Sequence, residues 1–195
     1  MDARRLKSRA KLREALSELL QNQPLEEISI EQITERAGVT RPTFYSNYES
    51  RQDIINEHVK QWIDKRQSLF DDYLADAQPP GHERLRSLIE HMLLTIDPND
   101  LILRLALSGR AGDVALQMVR NQHTDFFRRR AEQGLTKPVT PEQLHLITTF
   151  YSSATMGVIV EILNKRLPYD PATLAEQVSA MIYQGIQHLI AVPTE

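Results

Sequence analysis

The sequence predicts an all-α protein, and three observations support this. Apolar residues recur at helical spacing along nearly the whole chain, and no alternation of apolar and polar residues is long enough to indicate a strand. Proline and glycine divide the pattern into segments of helix length. With 195 residues and 41% hydrophobic content, the chain can bury a substantial core and has the length of one or two domains. We therefore expect about nine helices.

The first two helices are predicted by apolar spacing and by a capping motif. Apolar residues recur at amphipathic spacing from about residue 3 to residue 21, and Pro24 ends this helix. Ser29, followed three residues later by Gln32, is typical of a capping box. It predicts a second helix that ends at Ala37.

A tight turn and a short third helix follow. Gly38 lies where the turn needs a residue that can adopt positive φ. Thr40 can accept a hydrogen bond from the backbone N–H of Thr43, and Pro42 falls in the first turn, where its missing N–H costs no bond. We predict this helix over residues 41–47.

The fourth helix is predicted to be long. Ser50, with Asp53 three residues later, forms another capping pattern, and helical spacing then continues from Arg51 to about Ala75. Just before this helix, Phe44 and Tyr48 can face the core.

Five further helices are predicted beyond the Pro-Pro-Gly break at residues 79–81. Thr140 and Pro141 give one of them an N-cap followed by proline in its first turn. The predicted ranges are 83–95, 99–107, 113–132, 140–165 and 172–191.

The order helix, turn, short helix, capped long helix is that of a helix-turn-helix that reads DNA. The segment resembles the N-terminal domain of the TetR family of transcriptional regulators over about residues 28–55. Pro42 stands where this family often has glycine or alanine, and Asn47 where histidine or tyrosine is common. The residues that carry the resemblance are Thr43, Phe44, Tyr45, Tyr48, Ser50 and Arg51.

The resemblance and the residue chemistry together predict the DNA contacts. A recognition helix presents residues near its N-terminus to base edges in the major groove. Arg41 can pair with guanine, Pro42 and Thr43 can touch thymine methyl groups, and hydroxyl, amide and basic side chains suit phosphate oxygens. The predicted set is Arg4, Arg5, Lys7, Ser29, Thr40, Arg41, Pro42, Thr43, Tyr45, Asn47, Tyr48 and Arg51.

Alternative roles stay open for several of these residues. Tyr48 could be a core aromatic, Thr40 a helix cap alone, and Arg51 a solvated surface arginine. The N-terminal basic cluster could be an ordinary charged helix face or a frayed tail. The net charge is −3, but residues 1–13 carry six basic side chains and one acid, so basic charge is local. We expect modest non-specific affinity and more dependence on base contacts.

The residues that support other functions are missing. The chain has no cysteine and no P-loop, GxGxxG, HExxH or GxSxG motif, so we expect no catalysis and no cofactor. Glu142 and His145 are a lone pair without further ligands, so no metal is expected. No secretory signal is recognisable, and the longest apolar stretch, around residues 156–160, is far shorter than the ~20 residues of a membrane span. We expect a soluble, cytoplasmic protein without membrane contact.

The resemblance implies a small-molecule cavity among helices four to eight. A mixture of apolar walls and few polar groups suits such a ligand, although most of these residues could be plain core. Arg66 and Arg104 are the better candidates, because an arginine buried without an anion is costly; an internal acid could equally be their partner. The candidates are Trp62, Arg66, Phe70, His91, Arg104, His123, Phe127, Tyr151 and Thr155.

The last two helices are predicted to form a dimer interface. The final helix carries a wider apolar stripe than one core requires, and TetR-like proteins dimerise through such helices by two-fold symmetry. We expect a DNA-binding domain over residues 1–50 and a ligand-binding and dimerisation domain over residues 51–195. The function implied is a homodimeric, ligand-responsive regulator, a repressor, on a palindromic operator of double-stranded DNA. Two alternatives are an architectural or adaptor protein that binds another protein, and a helical-bundle enzyme.

Overall fold

The computed structural model describes residues 3–75, 81–134 and 139–186, and across these ranges the fold is all-α without a strand, as predicted. A short 3₁₀ turn, Leu25–Glu27, joins the first two helices. The helices are α1 Ala3–Leu19, α2 Ile30–Ala37, α3 Arg41–Tyr45, α4 Arg51–Ala75, α5 His82–Leu93, α6 Leu101–Leu107, α7 Asp113–Gly134, α8 Pro141–Leu163 and α9 Pro171–Ile186.

The predicted caps of α2 and α3 are confirmed. The Ser29 hydroxyl accepts from the Gln32 backbone N–H at 3.1 Å, and the Gln32 side chain accepts from the Ser29 N–H at 2.7 Å. Gly38 ends α2 with φ +61, the left-handed conformation that the turn requires. The Thr40 hydroxyl accepts from the Thr43 N–H at 3.3 Å. These local bonds fix the angle at which α3 leaves α2.

Some helix ends differ from the prediction by a few residues. α3 stops at Tyr45 instead of residue 47, and α1 stops at Leu19. α6 begins at Leu101 because the Asp100 carboxylate accepts from the Leu103 N–H at 2.8 Å, which makes Asp100 the N-cap. The predicted continuation of the last helix to residue 191 lies partly outside the described residues.

The chain divides into two compact units. The first unit contains residues up to Gln61 together with Asn99–Met118, so the boundary expected at residue 50 falls inside it. In this unit α1 packs on α2 and α2 on α3. Its core includes fully buried Leu12, Leu16, Ile33, Phe44 and Ile55.

The first unit extends beyond the helix-turn-helix because α6 belongs to it. His58 on α4 lies 2.6 Å from the carboxylate of Asp100, the residue that caps α6. Burial raises the pKa of the Asp100 carboxyl, but the hydrogen bond and charge of His58, together with backbone hydrogen bonds from Leu103 and Ile102, outweigh it, and the pKa is lowered overall.

The second unit contains Trp62–Pro98 and the chain from Val119 onward. Here α5 packs along α9. Two apolar clusters form its core. One contains Phe70, Leu88, Met92 and Phe126, and the other Tyr151, Val178 and Ile182.

Helix α8 is the helix of the described residues that passes a test of length and hydropathy for a membrane span. By length and hydropathy it would be able to cross a membrane, with 23 residues and a mean hydropathy of 1.5 over its most apolar window. The sequence expectation considered only unbroken apolar stretches and therefore missed it. In the structure 39% of that window is buried inside the protein, and a single helix that passes a test of length and composition is weak evidence for a membrane span.

Candidate nucleic-acid interface and internal cavity

Helix α3 is anchored by one side chain and exposes the others. Phe44 is fully buried, with its ring edge-on to Tyr45 at 5.5 Å and tilted against Tyr48 at 6.1 Å. Arg41 and Pro42 are exposed, and Tyr45 is 55% exposed. The helix therefore presents a guanidinium, a pyrrolidine ring and a phenol on its outer side.

Two predicted contact residues, Thr40 and Thr43, are engaged with each other. Their hydroxyl oxygens lie 2.9 Å apart, and Thr40 also caps the helix. Thr40 is exposed and Thr43 is half-buried. Each hydroxyl oxygen has further hydrogen-bonding capacity, because a hydroxyl offers one donor and two acceptor sites.

Tyr48 takes the core role that the sequence left open. The residue is 6% exposed, and its hydroxyl donates a hydrogen bond to the Glu57 carboxylate. Burial, and then the bond and charge of Glu57, raise the pKa of the Tyr48 phenol. The hydroxyl is thus occupied inside the first unit.

Arg9 and Glu57 complete this cluster, and sequence reasoning assigned neither a role. The Arg9 guanidinium forms an ion pair with Glu57, donates to the Asn47 backbone oxygen at 3.2 Å and lies 5.1 Å from the centre of the Tyr48 ring. Asn47 in turn donates from its side chain to the Thr43 backbone oxygen at 2.7 Å. The cluster fixes the α3–α4 connection against α1.

Arg51 lies at the start of α4, as the resemblance requires, and already has partners. Its guanidinium donates to the backbone oxygens of Ile28 and of Glu26, the latter at 3.4 Å. Both carbonyls lie within the three residues before exposed Ser29, the N-cap of α2. In this structure Arg51 therefore holds the segment that presents Ser29.

The basic residues of the α1 N-terminus are exposed. Arg4, Arg5 and Lys7 all lie on the solvent side of α1. Arg5 shares the wall of an open groove of about 730 Å³ with Tyr45 and Asn47. Cationic charge is thus placed beside the exposed side of α3.

A small internal cavity lies in the second unit. Its volume is about 70 Å³, and aromatic and aliphatic side chains form most of the wall. The structure brings part of the predicted ligand set together here. Those lining residues are Arg66, Phe70, His123, Phe127 and Thr155.

The other predicted ligand residues lie elsewhere. Trp62 stacks on the Arg66 guanidinium with 4.2 Å from the guanidinium carbon to the ring centre, and Tyr151 stacks on Phe127 with centroids 5.9 Å apart. His91 is exposed and bonded to the Ser87 backbone oxygen at 2.7 Å. Arg104 belongs to the first unit, whereas Arg66 belongs to the second.

Two buried ionisable residues are among those that line the cavity. Arg66 and His123 are each 3% exposed, and the Arg66 guanidinium donates to His123 Nε2 at 3.3 Å. Burial lowers the pKa of Arg66 to about 9, which leaves it charged at neutral pH. Burial, and then the charge of Arg66, lower the pKa of His123 to about 3, so its imidazole is neutral.

Comparison with known families agrees with this geometry. Residues 12–57 match the family model of bacterial regulatory proteins of the tetR family, and residues 83–184 match that of a transcriptional regulator C-terminal region. The chain belongs to the TetR family of transcriptional regulators. The first match covers α2, α3 and the start of α4, and the second covers most of the second unit. TetR-family regulators bind DNA, and the resemblance drawn from the sequence is confirmed.

Solved structures with this fold cover nearly the whole chain. NalD, the secondary repressor of the MexAB-OprM multidrug efflux pump in Pseudomonas aeruginosa, is 22% identical with a TM-score of 0.63, over 97% of this chain and 98% of NalD. SmeT, the repressor of the Stenotrophomonas maltophilia multidrug efflux pump SmeDEF, is 13% identical with a TM-score of 0.68, over 95% and 91%. A putative TetR-family regulator from Mesorhizobium loti is 14% identical with a TM-score of 0.67, over 97% and 100%. Comparison with curated proteins gives no match.

Proposed function

We propose that this TetR-family chain is a cytoplasmic, ligand-responsive repressor that binds a palindromic operator as a homodimer. The observation that carries the proposal is the exposed side of α3. Phe44 anchors a short helix whose Arg41, Pro42 and Tyr45 point away from the core. Such a helix can enter the major groove with its N-terminal residues toward the base edges.

The side chains of the first unit divide into base-reading and phosphate-binding groups. Arg41 reads a guanine through O6 and N7, and Pro42 contacts a thymine methyl group. Tyr45, Ser29 and the exposed basic residues of α1 bind phosphates. Arg51 contributes by holding the segment before Ser29 and through its remaining donors. We no longer include Tyr48 among the DNA-contacting residues, because its hydroxyl is hydrogen-bonded to Glu57.

An exposed apolar stripe supports the homodimer. Leu146 and Phe150 on α8 are 68% and 63% exposed, and Met181 on α9 is 64% exposed. Ala154 and Gly157 continue the α8 stripe at helical spacing with small, exposed residues. Large apolar side chains on a continuous helix stripe favour a partner helix, and a second copy provides an identical one by two-fold symmetry.

The internal cavity supports a small-molecule effector over an adaptor role. α4 begins in the first unit and ends in the second, so a ligand beside Arg66 acts on the helix that also carries Arg51. The effector must favour the conformation in which the two recognition helices no longer match successive major grooves, about 34 Å apart. Operator binding then falls when the effector binds.

Selection from a pool of random duplexes, followed by gel-shift titration, tests the proposal. We expect an enriched inverted repeat, bound with a stoichiometry of two chains or a multiple of two. A protein that enriches no duplex sequence would show that the regulator assignment is wrong. An enriched motif without a repeat would contradict the proposal that the protein binds DNA as a homodimer.

A further inference from the structure

Arg66 in α4 is buried with poor compensation for its charge. It is 3% exposed, and its Nη1 lies 3.4 Å from both the Met92 backbone oxygen and the Thr95 hydroxyl. The Nη2 donates to His123 Nε2 at 3.3 Å, and the Nε has no hydrogen-bond partner. These are long contacts, since charge-assisted bonds from a guanidinium to a carboxylate measure about 2.7–2.9 Å.

No carboxylate of the described residues pairs with Arg66. Its neighbours are a carbonyl, a hydroxyl, a neutral imidazole and the Trp62 ring. The internal acid that the sequence left as an alternative is therefore missing from the described part of the chain. An unpaired buried charge is costly, and proteins normally supply it with a counter-ion.

Arg66 is also one of the residues that line the internal cavity. The rest of the wall is almost entirely apolar and includes Phe70, Met92, Phe126 and Ile182. Trp62 covers one face of the guanidinium at 4.2 Å, which restricts its plane, and His123 Nδ1 lies 3.4 Å from the Thr155 hydroxyl. One buried cation at the wall of an apolar pocket is an arrangement that favours an anionic head with an apolar body.

We propose that this cavity binds a small monocarboxylate with a short aliphatic body, whose carboxylate pairs with Arg66. The inference rests on the proposed function, because it names the chemical class of the effector. The carboxylate takes the unused Nε and strengthens the charge compensation that the present neighbours give only at long range. The apolar body lies among the Phe70, Met92 and Phe126 side chains. At about 70 Å³ the cavity is below the ~300 Å³ typical of sites for larger ligands, which favours a small molecule.

Titration calorimetry of the full chain at pH 7.5 tests the proposal. The probes are propionate and butyrate, each compared with the amide of the same shape, propionamide or butyramide. We expect at least one acid to bind at least tenfold tighter than its amide, because only the acid supplies the counter-charge. Equal affinity for acid and amide in both pairs, or no binding of either acid, would overturn the proposal.

Substitution at Arg66 localises the preference. Arg66→Met, which keeps length and removes the charge, should abolish the difference between acid and amide. Arg120→Met is the matched control, since Arg120 is an exposed arginine on α7 of the same unit, and it should keep the difference. A preference for the acid that survives in Arg66→Met would overturn the assignment.

The thermal stability of the ligand-free variant separates binding from a structural role. Replacing an uncompensated buried charge by an apolar side chain of similar volume is often neutral or stabilising. Arg66→Met should therefore unfold at the same temperature as the unmodified chain or higher. A clear loss of stability would identify Arg66 as a structural residue and contradict the proposal. The comparison of acid and amide on the unmodified chain tests carboxylate binding without this variant.

Gel shifts with the selected duplex distinguish the failure of this inference from that of the proposed function. Duplex binding without any acid binding would contradict the proposal of a carboxylate ligand but not the proposed role as a DNA-binding regulator. Acid binding that depends on Arg66 but does not alter duplex affinity supports the cavity assignment and removes ligand control from the proposed function.

Discussion

Arg41 and Phe44 have different roles in α3. Phe44 is fully buried and fixes the helix, whereas Arg41, three residues earlier, is exposed at its first position. Burial of an aromatic ring contributes stability, and the exposed guanidinium contributes recognition. Changes at the two positions should therefore affect different properties.

Arg41→Ala should weaken binding to the selected duplex by about 1–3 kcal/mol and relax the preference at one base of each half-site. The reason is the loss of a bidentate contact to guanine. Gel-shift titration against duplexes that vary at that base measures both effects. Arg120→Ala is the control, because it removes an exposed arginine from the second unit. An unchanged base preference in Arg41→Ala would show that another residue reads the base.

His123 should make the second unit sensitive to acid. Its pKa is about 3 in the folded chain and near 6.5 when unfolded, so between these values the unfolded state binds more protons. Its contribution to stability is complete above pH 6.5 and is lost as the pH falls toward 3. The loss is at most about 1.4 kcal/mol per pH unit. Urea unfolding at several pH values between 7.5 and 4.5 measures it.

His123→Asn should flatten this pH dependence relative to the unmodified chain. Exposed His145 gives the matched control, His145→Asn, which should keep the full slope. If His123→Asn loses stability with acid as steeply as the unmodified chain, the buried imidazole is not the group responsible.

The roles of single residues were predictable from the sequence where their interactions are local. Ser29, Thr40 and Gly38 were predicted because each acts on a backbone group within a few residues. The Arg9–Glu57 ion pair joins positions 48 residues apart, and no local pattern indicates it. The same holds for the bond of Arg51 to the Ile28 carbonyl.

The turn between α2 and α3 depends on the backbone conformation of Gly38. A Cβ added there meets nothing within 4 Å, so the only obstacle to a side chain is φ +61. Gly38→Ala should lower the free energy of unfolding by about 1–2 kcal/mol, because this conformation is unfavourable for L-residues. Chemical unfolding of the full chain measures the difference.

Gly38→Asn is the matched control for this element. Asparagine also adds a Cβ, but it tolerates the left-handed conformation better than alanine. Its cost should be clearly smaller than that of Gly38→Ala. Equal costs would mean that the added side-chain atoms, and not the backbone conformation, destabilise the turn.

Element types and capped ends were predictable, and the other ends were less so. α4 runs over Arg51–Ala75 as expected, because its start is capped and its apolar spacing is continuous. α3 is shorter than predicted because Asn47 turns its side chain back to the Thr43 carbonyl instead of continuing the helix. The residues that line the Arg66 cavity were predicted only in part. Helical spacing in the sequence assigns residues to a helix face but does not show which helices pack together.

For the whole molecule, the exposed stripe of α8 predicts the oligomeric state. Phe150→Glu places a charge in the proposed contact between two copies and should convert the dimer into monomers in sedimentation experiments. Leu94→Glu is the control, because Leu94 is 60% exposed but follows α5 and lies outside the stripe. A Phe150→Glu protein that stays dimeric would mean that another surface joins the copies.

The family followed from about thirty residues of the sequence and the all-α fold from helical spacing along nearly the whole chain, whereas the division into units followed from neither. Residues 99–118 join the first unit through contacts such as His58 with Asp100, which are distant in the chain. Symmetric assembly is likewise indicated in the sequence only by a helix that carries more apolar residues than one core requires.

Parallel duplex selection with the unmodified chain and with Arg41→Ala tests whether two symmetry-related copies of α3 read DNA. The proposed function predicts an inverted repeat for the unmodified chain, with half-sites one helical turn or a multiple apart. In Arg41→Ala the preference should disappear at the same position of both half-sites while the rest of the repeat stays. An identical motif from both proteins, or no motif from the unmodified chain, would contradict it.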